Sequence, residues 1–311
     1  MRIIIGKPTK YITSGLDVSG DVARLYEMLP NILSEMDIDY KVLELVYKSA
    51  TIRQEPNSIF LAWHLHGTLP NIWHLKTGPI PNYFYFDNNG YGPWSEIVAE
   101  CNYKSPVEAI RKDVEKFCSD YIASNESRHI QPREAFIPAE PYVLVLGQYP
   151  QDKVMQYAHI DTESLMHKVA DAFRGTRYTV ATRGHPLISG KPYGTADTFQ
   201  VTGNMHTAIK HASAVYTVNS GSGFEALLHG KRVFTAGVCD YHWATTTVKT
   251  GEDIRKSIEL IDEPIDEDNR IQFLHYFLNY HLMNINDTDS IKRKIIRAVS
   301  EYRDSTQDDN K

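Results

Sequence analysis

The sequence predicts an α/β protein of two doubly wound parallel-sheet domains facing a cleft, with helices at its carboxyl end. Three observations carry this. Short β-branched runs alternate with segments of helical period along most of the chain, the run Tyr142-Val143-Leu144-Val145-Leu146 is apolar without a break, and a proline-bearing stretch at 125–141 separates two such series. An unbroken apolar run marks a strand buried on both faces, as a parallel sheet requires. At 311 residues the chain is long for one core and comfortable for two.

The elements follow in order. Residues 2–5 open the chain as a β-branched strand, and over 21–36 Val22, Leu25, Leu29 and Leu33 recur at helical spacing. Apolar runs at 41–45, 59–63 and 83–86 read as further strands. A helix is predicted over 105–122, with Ser105 as N-cap, Pro106 at the first helical position and Glu108 three residues after the cap. These elements make 1–124 the first Rossmann-like domain. Pro132, Pro138 and Pro141 interrupt all periodicity, so 125–141 reads as the linker. The second Rossmann-like domain, 142–303, has strands at 142–146, 178–182, 199–202, 214–218 and 232–236. Its predicted helices are 162–173, 205–211 and 223–228, followed by terminal helices at 254–261, 269–284 and 288–302. The polar tail 304–311 is expected to be disordered.

Composition narrows the function classes. With 33 Lys+Arg against 39 Asp+Glu the net charge is −6, which gives no global electrostatic case for a nucleic-acid partner; an anionic ligand must meet locally placed positive groups. No window approaches the roughly 20 apolar residues of a membrane span, and the apolar start at 3–5 is too short for a signal peptide, so a cytoplasmic protein is expected. Cys101, Cys118 and Cys239 are odd in number and widely spaced, which argues against a disulfide framework and against a zinc site.

Ligands of doubly wound sheets bind at the carboxyl ends of strands. Three such ends in the second half carry candidate chemistry. After the strand 214–218, Asn219-Ser220-Gly221-Ser222-Gly223-Phe224-Glu225 presents backbone N–H groups and hydroxyls at a helix N-terminus, the makings of a phosphate cradle. The competing reading is a glycine-rich turn with serine caps and Glu225 as a dipole-matched acid in the first turn. After 178–182, Arg183-Gly184-His185-Pro186 supplies a cation and an imidazole suited to a nucleotide phosphate, although a His-Pro turn is often only structural. After 142–146 come Gly147, Gln148 and, further on, Asp152, either a turn residue or a nucleophile.

In the first half, Phe86-Asp87-Asn88-Asn89-Gly90-Tyr91-Gly92-Pro93-Trp94 follows an aromatic strand. Asp87, Asn89, Tyr91 and Trp94 there are candidates for a wall on which a sugar stacks. His64 and His66 sit at i, i+2 after another strand; with no carboxylate or cysteine at ligand spacing they read as a polar cleft edge rather than a metal site.

These motifs, in this order, resemble the bacterial capsule polysaccharide synthesis proteins, a family that includes retaining β-Kdo glycosyltransferases using a CMP-activated sugar. Residues 143–152 look like that family's strand followed by Gln and, four residues later, Asp. Arg183-Gly184-His185-Pro186 looks like its basic-x-His-Pro turn. The most specific match is Ser220 through Phe224-Glu225-Ala226-Leu227-Leu228-His229-Gly230-Lys231-Arg232-Val233. More weakly, Asp87 to Gly90 is similar to an acidic-Gly turn, and Asp240-Tyr241-His242-Trp243 takes the place of the family's aromatic loop; the resemblance spans about 83–245.

The resemblance implies a two-domain GT-B fold with the donor nucleotide on the C-terminal domain. His185, Pro186 and Ser220 to Gly223 would hold the CMP phosphate with Arg183 beside them, and Glu225 would take the ribose. Asp152 would be the nucleophile of a double displacement, with Gln148 and His185 completing the catalytic set. The resemblance implies no cofactor and no metal, CMP-sugar being the donor substrate. The implied partners are a glycan or glycolipid acceptor and, peripherally, a membrane assembly complex. Two alternatives stay open: a UDP-sugar-dependent GT-B transferase or epimerase, and a non-catalytic scaffold of polysaccharide assembly.

Overall fold

The computed structural model describes residues 1–15, 17, 19–45, 55–69, 71–139, 141–188 and 193–308. They form two compact units, Met1–Glu100 with Tyr276–Lys311 and Cys101–His275.

The first unit opens with β1 (Arg2–Lys7), α1 (Thr9–Thr13), α2 (Asp21–Glu35), β2 (Tyr40–Glu44), β3 (Ser58–Trp63), β4 (Ile72–Thr77) and β5 (Tyr83–Asp87). Ile3, Ile4 and Ile5 are wholly buried because β1 lies between β2 and β3, paired parallel to both. Val22, Leu25, Leu29 and Leu33 form the buried stripe of α2, as their spacing requires, and pack on Ile3, Ile5, Trp73 and Phe84. Each such fully buried side chain contributes roughly 1.5–3 kcal/mol relative to exposure. The sheet is mixed rather than purely parallel: β4 pairs parallel to β3, but β5 runs antiparallel to β4.

The second unit comprises α3 (Val107–Ser124), β6 (Ala135–Phe136), β7 (Tyr142–Leu146), α4 (Thr162–Phe173), β8 (Thr179–Arg183), β9 (Phe199–Gln200), β10 (Thr202–Gly203), α5 (Met205–His211), β11 (Ala214–Thr217), α6 (Gly221–Leu228), β12 (Val233–Thr235), β13 (Thr246–Thr247), α7 (Gly251–Leu260) and α8 (Glu267–Tyr276). Its six-stranded sheet has the order β13-β12-β11-β7-β8-β9, every pairing parallel. The chain winds outward from β7 through β8 to β9, then returns to β11 on the other side of β7. The winding therefore reverses between β7 and β11, and a crevice at the carboxyl ends of those strands is the place where this class of sheet binds ligands.

Several boundaries depart from the sequence expectation; α3 starts at Val107, with Pro106 and not Ser105 at its N-cap. The stretch 125–141 is not a free linker but part of the second unit, together with α3. Asn204 Nδ2 donates to Asn125 Oδ1 at 2.6 Å and to the Pro132 carbonyl at 2.7 Å, and the Met205 N–H donates to Gln131 Oε1 at 2.9 Å. Side-chain amides satisfy backbone groups that proline had removed from any ladder, which no periodicity reveals.

The helix expected over 269–284 ends at Tyr276. Phe277–His281 is a π-helical turn, and Leu282–Asn284 forms a strand, β14, antiparallel to β5. The wider turn breaks the helical phase and places Leu282 and Met283 in the first unit's core. The final helix, α9 (Thr288–Asp308), also packs there through Ile291, Ile295 and Ala298. It carries 304–308, expected as disordered; 309–311 lie outside the described residues. Among the described residues no helix is long and apolar enough to cross a membrane. Cys101, Cys118 and Cys239 are free thiols, with burial raising each above the ordinary cysteine value.

Candidate active site at the carboxyl edge of the second sheet

The reversal point is locked by side-chain amides. At the end of β7 the Gly147 N–H donates to the Arg183 carbonyl at 2.8 Å, tying it to the end of β8. A Cβ on Gly147 would stand 3.3 Å from that carbonyl and from the Tyr193 ring, so the close approach favours glycine. Gln148 is buried. Its N–H donates to Thr162 Oγ1 at 3.0 Å, its Oε1 accepts the Tyr149 N–H at 3.0 Å, and its Nε2 donates to Asn219 Oδ1 at 3.4 Å. Asn219 Nδ2 in turn donates to the Val154 carbonyl at 3.0 Å. The Gln148–Asn219 pair thus joins the ends of β7 and β11.

Asp152 is half-buried and caps the short 3-10 turn Lys153–Tyr157, its Oδ1 accepting the Val154 N–H at 3.3 Å. The turn-residue reading is therefore correct as far as it goes. The same carboxylate also lies close enough to His185 to favour the charged form of that imidazole.

At the end of β8, Arg183 is half-buried and its Nη1 has no partner among the described residues. His185 Nδ1 accepts the Leu187 N–H at 3.2 Å, which assigns the proton of the neutral ring to Nε2. Burial, then His129 and Arg128, push this histidine down to about 4 against the opposing pull of Asp152. At neutral pH it is a neutral Nε2–H donor. His129 and Tyr149 flank the ring, with centroids at 6.1 and 6.0 Å, and Pro186 is exposed.

At the end of β11, Ser220 caps α6. Its Oγ accepts the Ser222 N–H at 3.4 Å, and its carbonyl accepts Tyr241 Oη at 2.5 Å and the Gly223 N–H at 2.9 Å. Gly223 cannot bear a side chain without displacement, since a Cβ would lie 2.5 Å from Tyr241 Oη and 2.9 Å from Thr217 Cγ2. The helix starts at Gly221, earlier than the sequence suggested, so Glu225 stands in its second turn and not its first. Glu225 is buried. Its Oε1 accepts Tyr121 Oη at 2.9 Å and Ser127 Oγ at 2.6 Å, while Oε2 has no partner among the described residues. Burial raises this carboxyl; the two hydroxyls, His206 and Arg183 oppose the shift.

The second unit therefore brings Gln148, Asp152, Arg183, His185 and Ser220–Glu225 to one sheet edge. Sequence reasoning missed Tyr121, Ser127 and His129, which it had assigned to the first domain and linker. It did not single out Tyr193, and it quoted Asn219 and Tyr241 within their segments without a role for either side chain. Asn219 was findable, because it directly follows the strand at the reversal point; contacts 98 and 104 residues apart, such as Ser127 and Tyr121 to Glu225, leave no local signal.

The first-half candidates form a separate cluster within the first unit. Tyr91 sits among His64, Trp94 and Lys76: its centroid lies 5.3 Å from the His64 ring, 5.2 Å from Trp94 and 4.0 Å from Lys76 Nζ. His66 stacks on Trp94 at 4.1 Å, nearly parallel. Asp87 is not on the wall but buried behind it. Its Oδ1 accepts the N–H groups of Asn89 at 2.7 Å and Gly90 at 3.0 Å, and its Oδ2 that of Glu96 at 3.0 Å. Asn89 braces the same loop, its Oδ1 accepting Thr68 Oγ1 at 2.9 Å.

Asp87, Glu96 and His281 place one possible ligand atom each within 4.8 Å of one another. Arg297 donates to both oxygens of Glu96, the Asp87 oxygens are already taken, and burial, then Lys294 and Arg297, disfavour positive charge on His281, whose Nε2 has no partner among the described residues. The donor set fits a compensated charge network better than a cation.

The sequence profile described as "Capsule polysaccharide biosynthesis protein" matches residues 99–282. The chain belongs to that family. This capsule-synthesis protein is also similar in fold to two solved structures from Thermosulfurimonas dismutans. One is titled KpsC, beta Kdo 2,7 transferase: 17% identity, TM-score 0.53, covering 86% of this chain and 95% of the other. The second is titled KpsC, beta Kdo 2,4 transferase: 15% identity, TM-score 0.54, covering 88% and 89%. At these identities the likeness establishes the GT-B-like fold. No curated protein matches the chain.

Proposed function

We propose that this capsule-synthesis protein is a glycosyltransferase that moves Kdo or a related ulosonate from its CMP-sugar onto a glycan or glycolipid acceptor. The observation that carries the reading is the convergence at the β7/β11 reversal of an unspent guanidinium atom on Arg183, a neutral Nε2–H donor on His185 and the capped amino end of α6. Those groups suit a phosphate: helix N–H groups and the Ser220 and Ser222 hydroxyls to its oxygens, with His185 Nε2–H and Arg183 beside them. Glu225 Oε2 is the acceptor left for a sugar hydroxyl of the nucleotide.

Asp152 is the proposed nucleophile. Its carboxylate forms a bond to the anomeric carbon as the C–O bond to CMP breaks, the electron pair leaving with the phosphate, whose charge His185 and Arg183 stabilise. An acceptor hydroxyl then displaces the carboxylate, gives up its proton and restores Asp152, and two inversions give net retention. The Arg183 cation, the His185 Nε2–H and the helix terminus serve in place of an ion, so activity is expected to resist chelators. The His64, His66, Tyr91 and Trp94 cluster is the proposed stacking surface for the acceptor.

Calorimetry with CMP and with UDP tests the donor. CMP is expected to bind more tightly than UDP, and His185→Ala to weaken CMP by about tenfold or more. Tighter binding of UDP would replace this reading with a UDP-sugar enzyme of the same fold.

A further inference from the structure

An open cavity of about 130 Å³ lies at the opposite, amino edge of the second sheet, beside the start of β12 and β13 and the carboxyl end of α6. Its wall includes Lys231, Arg232, Thr246, Asn269 and Arg270. Lys231 and Arg232 come from Gly230-Lys231-Arg232-Val233, a motif that the candidate active site leaves unused.

The cations here are unequally compensated. Arg270 is bound to Glu267 and donates to the Leu227 carbonyl at 2.8 Å. Arg232 Nη2 holds the carbonyls of Glu263 and Pro264 at 3.1 and 2.9 Å, and its Nε is buried without a partner among the described residues. Of the nearby carboxylates, Glu267 is spent on Arg270, and exposed Asp266 accepts the Asn269 N–H at 3.0 Å. Lys231 is half-buried, pushed below the ordinary lysine value by that burial, and makes no ion pair or side-chain hydrogen bond among the described residues.

A partly desolvated ammonium with three unused donors is costly unless an acceptor meets it. A single water needs about 10–15 Å³, so the cavity has room for several waters or for one tetrahedral oxyanion. We propose that this cavity is a second anion site, which takes phosphate or a phosphate ester with Lys231 as its principal ligand. It is distinct from the nucleotide site, since it lies at the amino rather than the carboxyl ends of the strands, and it does not depend on the reading of that site.

Equilibrium dialysis of radiolabelled inorganic phosphate against the full chain, at constant ionic strength, tests this. The His185→Ala background weakens the contribution of the candidate active site, and saturating CMP blocks what remains of it. In that background phosphate is expected to bind, with Lys231→Met lowering its affinity about tenfold or more and Lys231→Arg retaining most of it. Competition by unlabelled sulfate but not acetate is expected for a tetrahedral ligand. Absence of phosphate binding in the His185→Ala protein, equal binding after Lys231→Met, or competition by acetate alone would overturn the proposal.

Discussion

At the carboxyl edge of the second sheet, Arg183 Nη1 and Glu225 Oε2 are buried without partners among the described residues, whereas in the first unit the carboxylates of Asp87 and Glu96 have every oxygen engaged. Both regions place a buried carboxylate near a strand end, yet Glu225 leaves one oxygen unspent where Asp87 uses both. An unspent buried donor or acceptor costs stability, most of all on a charged group, and at the sheet edge a guanidinium and a carboxylate both carry one. The saturated Asp87 carboxylate does different work: it gathers three N–H groups of the loop 88–96, which carries Tyr91 and Trp94. A charged donor is thus expected to be met by polar groups in one unit, and an acceptor by aromatic faces in the other.

The contrast can be broken most forcefully at Asp152. Asp152→Ala is expected to lower transfer by about 10³-fold or more while CMP binding persists, because the carboxylate is asked to form a bond and not to hold the nucleotide. A scaffold would show no dependence on this residue. Gly223→Ala comes next. The added methyl must displace Tyr241, whose hydroxyl holds the Ser220 carbonyl at 2.5 Å. Overpacking of this kind costs about 1–3 kcal/mol. Denaturant unfolding should show that loss together with weakened CMP binding.

Trp94→Ala in the first unit is expected to raise the KM for acceptor about 2- to 10-fold, the worth of one aromatic stack, and to leave donor affinity unchanged. Loss of donor binding in that variant would erase the proposed division of labour.

The smallest effects are pH-dependent and opposite in sign. His185 is depressed from 6.5 to about 4, so the unfolded chain takes up its proton first. Its contribution to stability is therefore full above pH 6.5 and is lost as pH falls toward 4. Burial and Glu96 raise Asp87 from 3.8 to about 6, so the folded chain keeps that proton longer; its contribution is full below 3.8 and is lost as pH rises through 6. Unfolding measured across this range should show a flattened acid limb in His185→Gln and the reverse change in Asp87→Asn.

Local pattern was sufficient where local physics decides. The unbroken run 142–146 is the buried central strand, and the glycine-serine segment after β11 is a capped helix start, because burial on both faces and orphan N–H groups leave marks in sequence. Glu225 was misplaced within its helix for a tertiary reason. Gly-Ser-Gly has no helical propensity of its own, and Ser220 together with the Tyr241 hydroxyl fixes the first turn. The π-turn at Phe277–His281 and the stretch 125–141 were illegible for the same cause. In the first, a strand pairing with β5 overrides a continuing apolar pattern; in the second, long-range amide contacts order a proline-broken chain. His64, His66, Tyr91 and Trp94 do gather in one cluster, whereas Asp87 is buried, because nothing local shows that three N–H groups of its own loop turn inward to it.

The central claim is that the β7/β11 reversal holds a CMP-sugar against Asp152. Mass spectrometry of the intact protein after incubation with CMP-Kdo, followed by peptide mapping, tests it most directly. The account predicts an added mass of one sugar residue on Asp152, absent from Asp152→Ala. An unmodified Asp152 in a protein that turns over the donor, or an adduct on another residue, would contradict it.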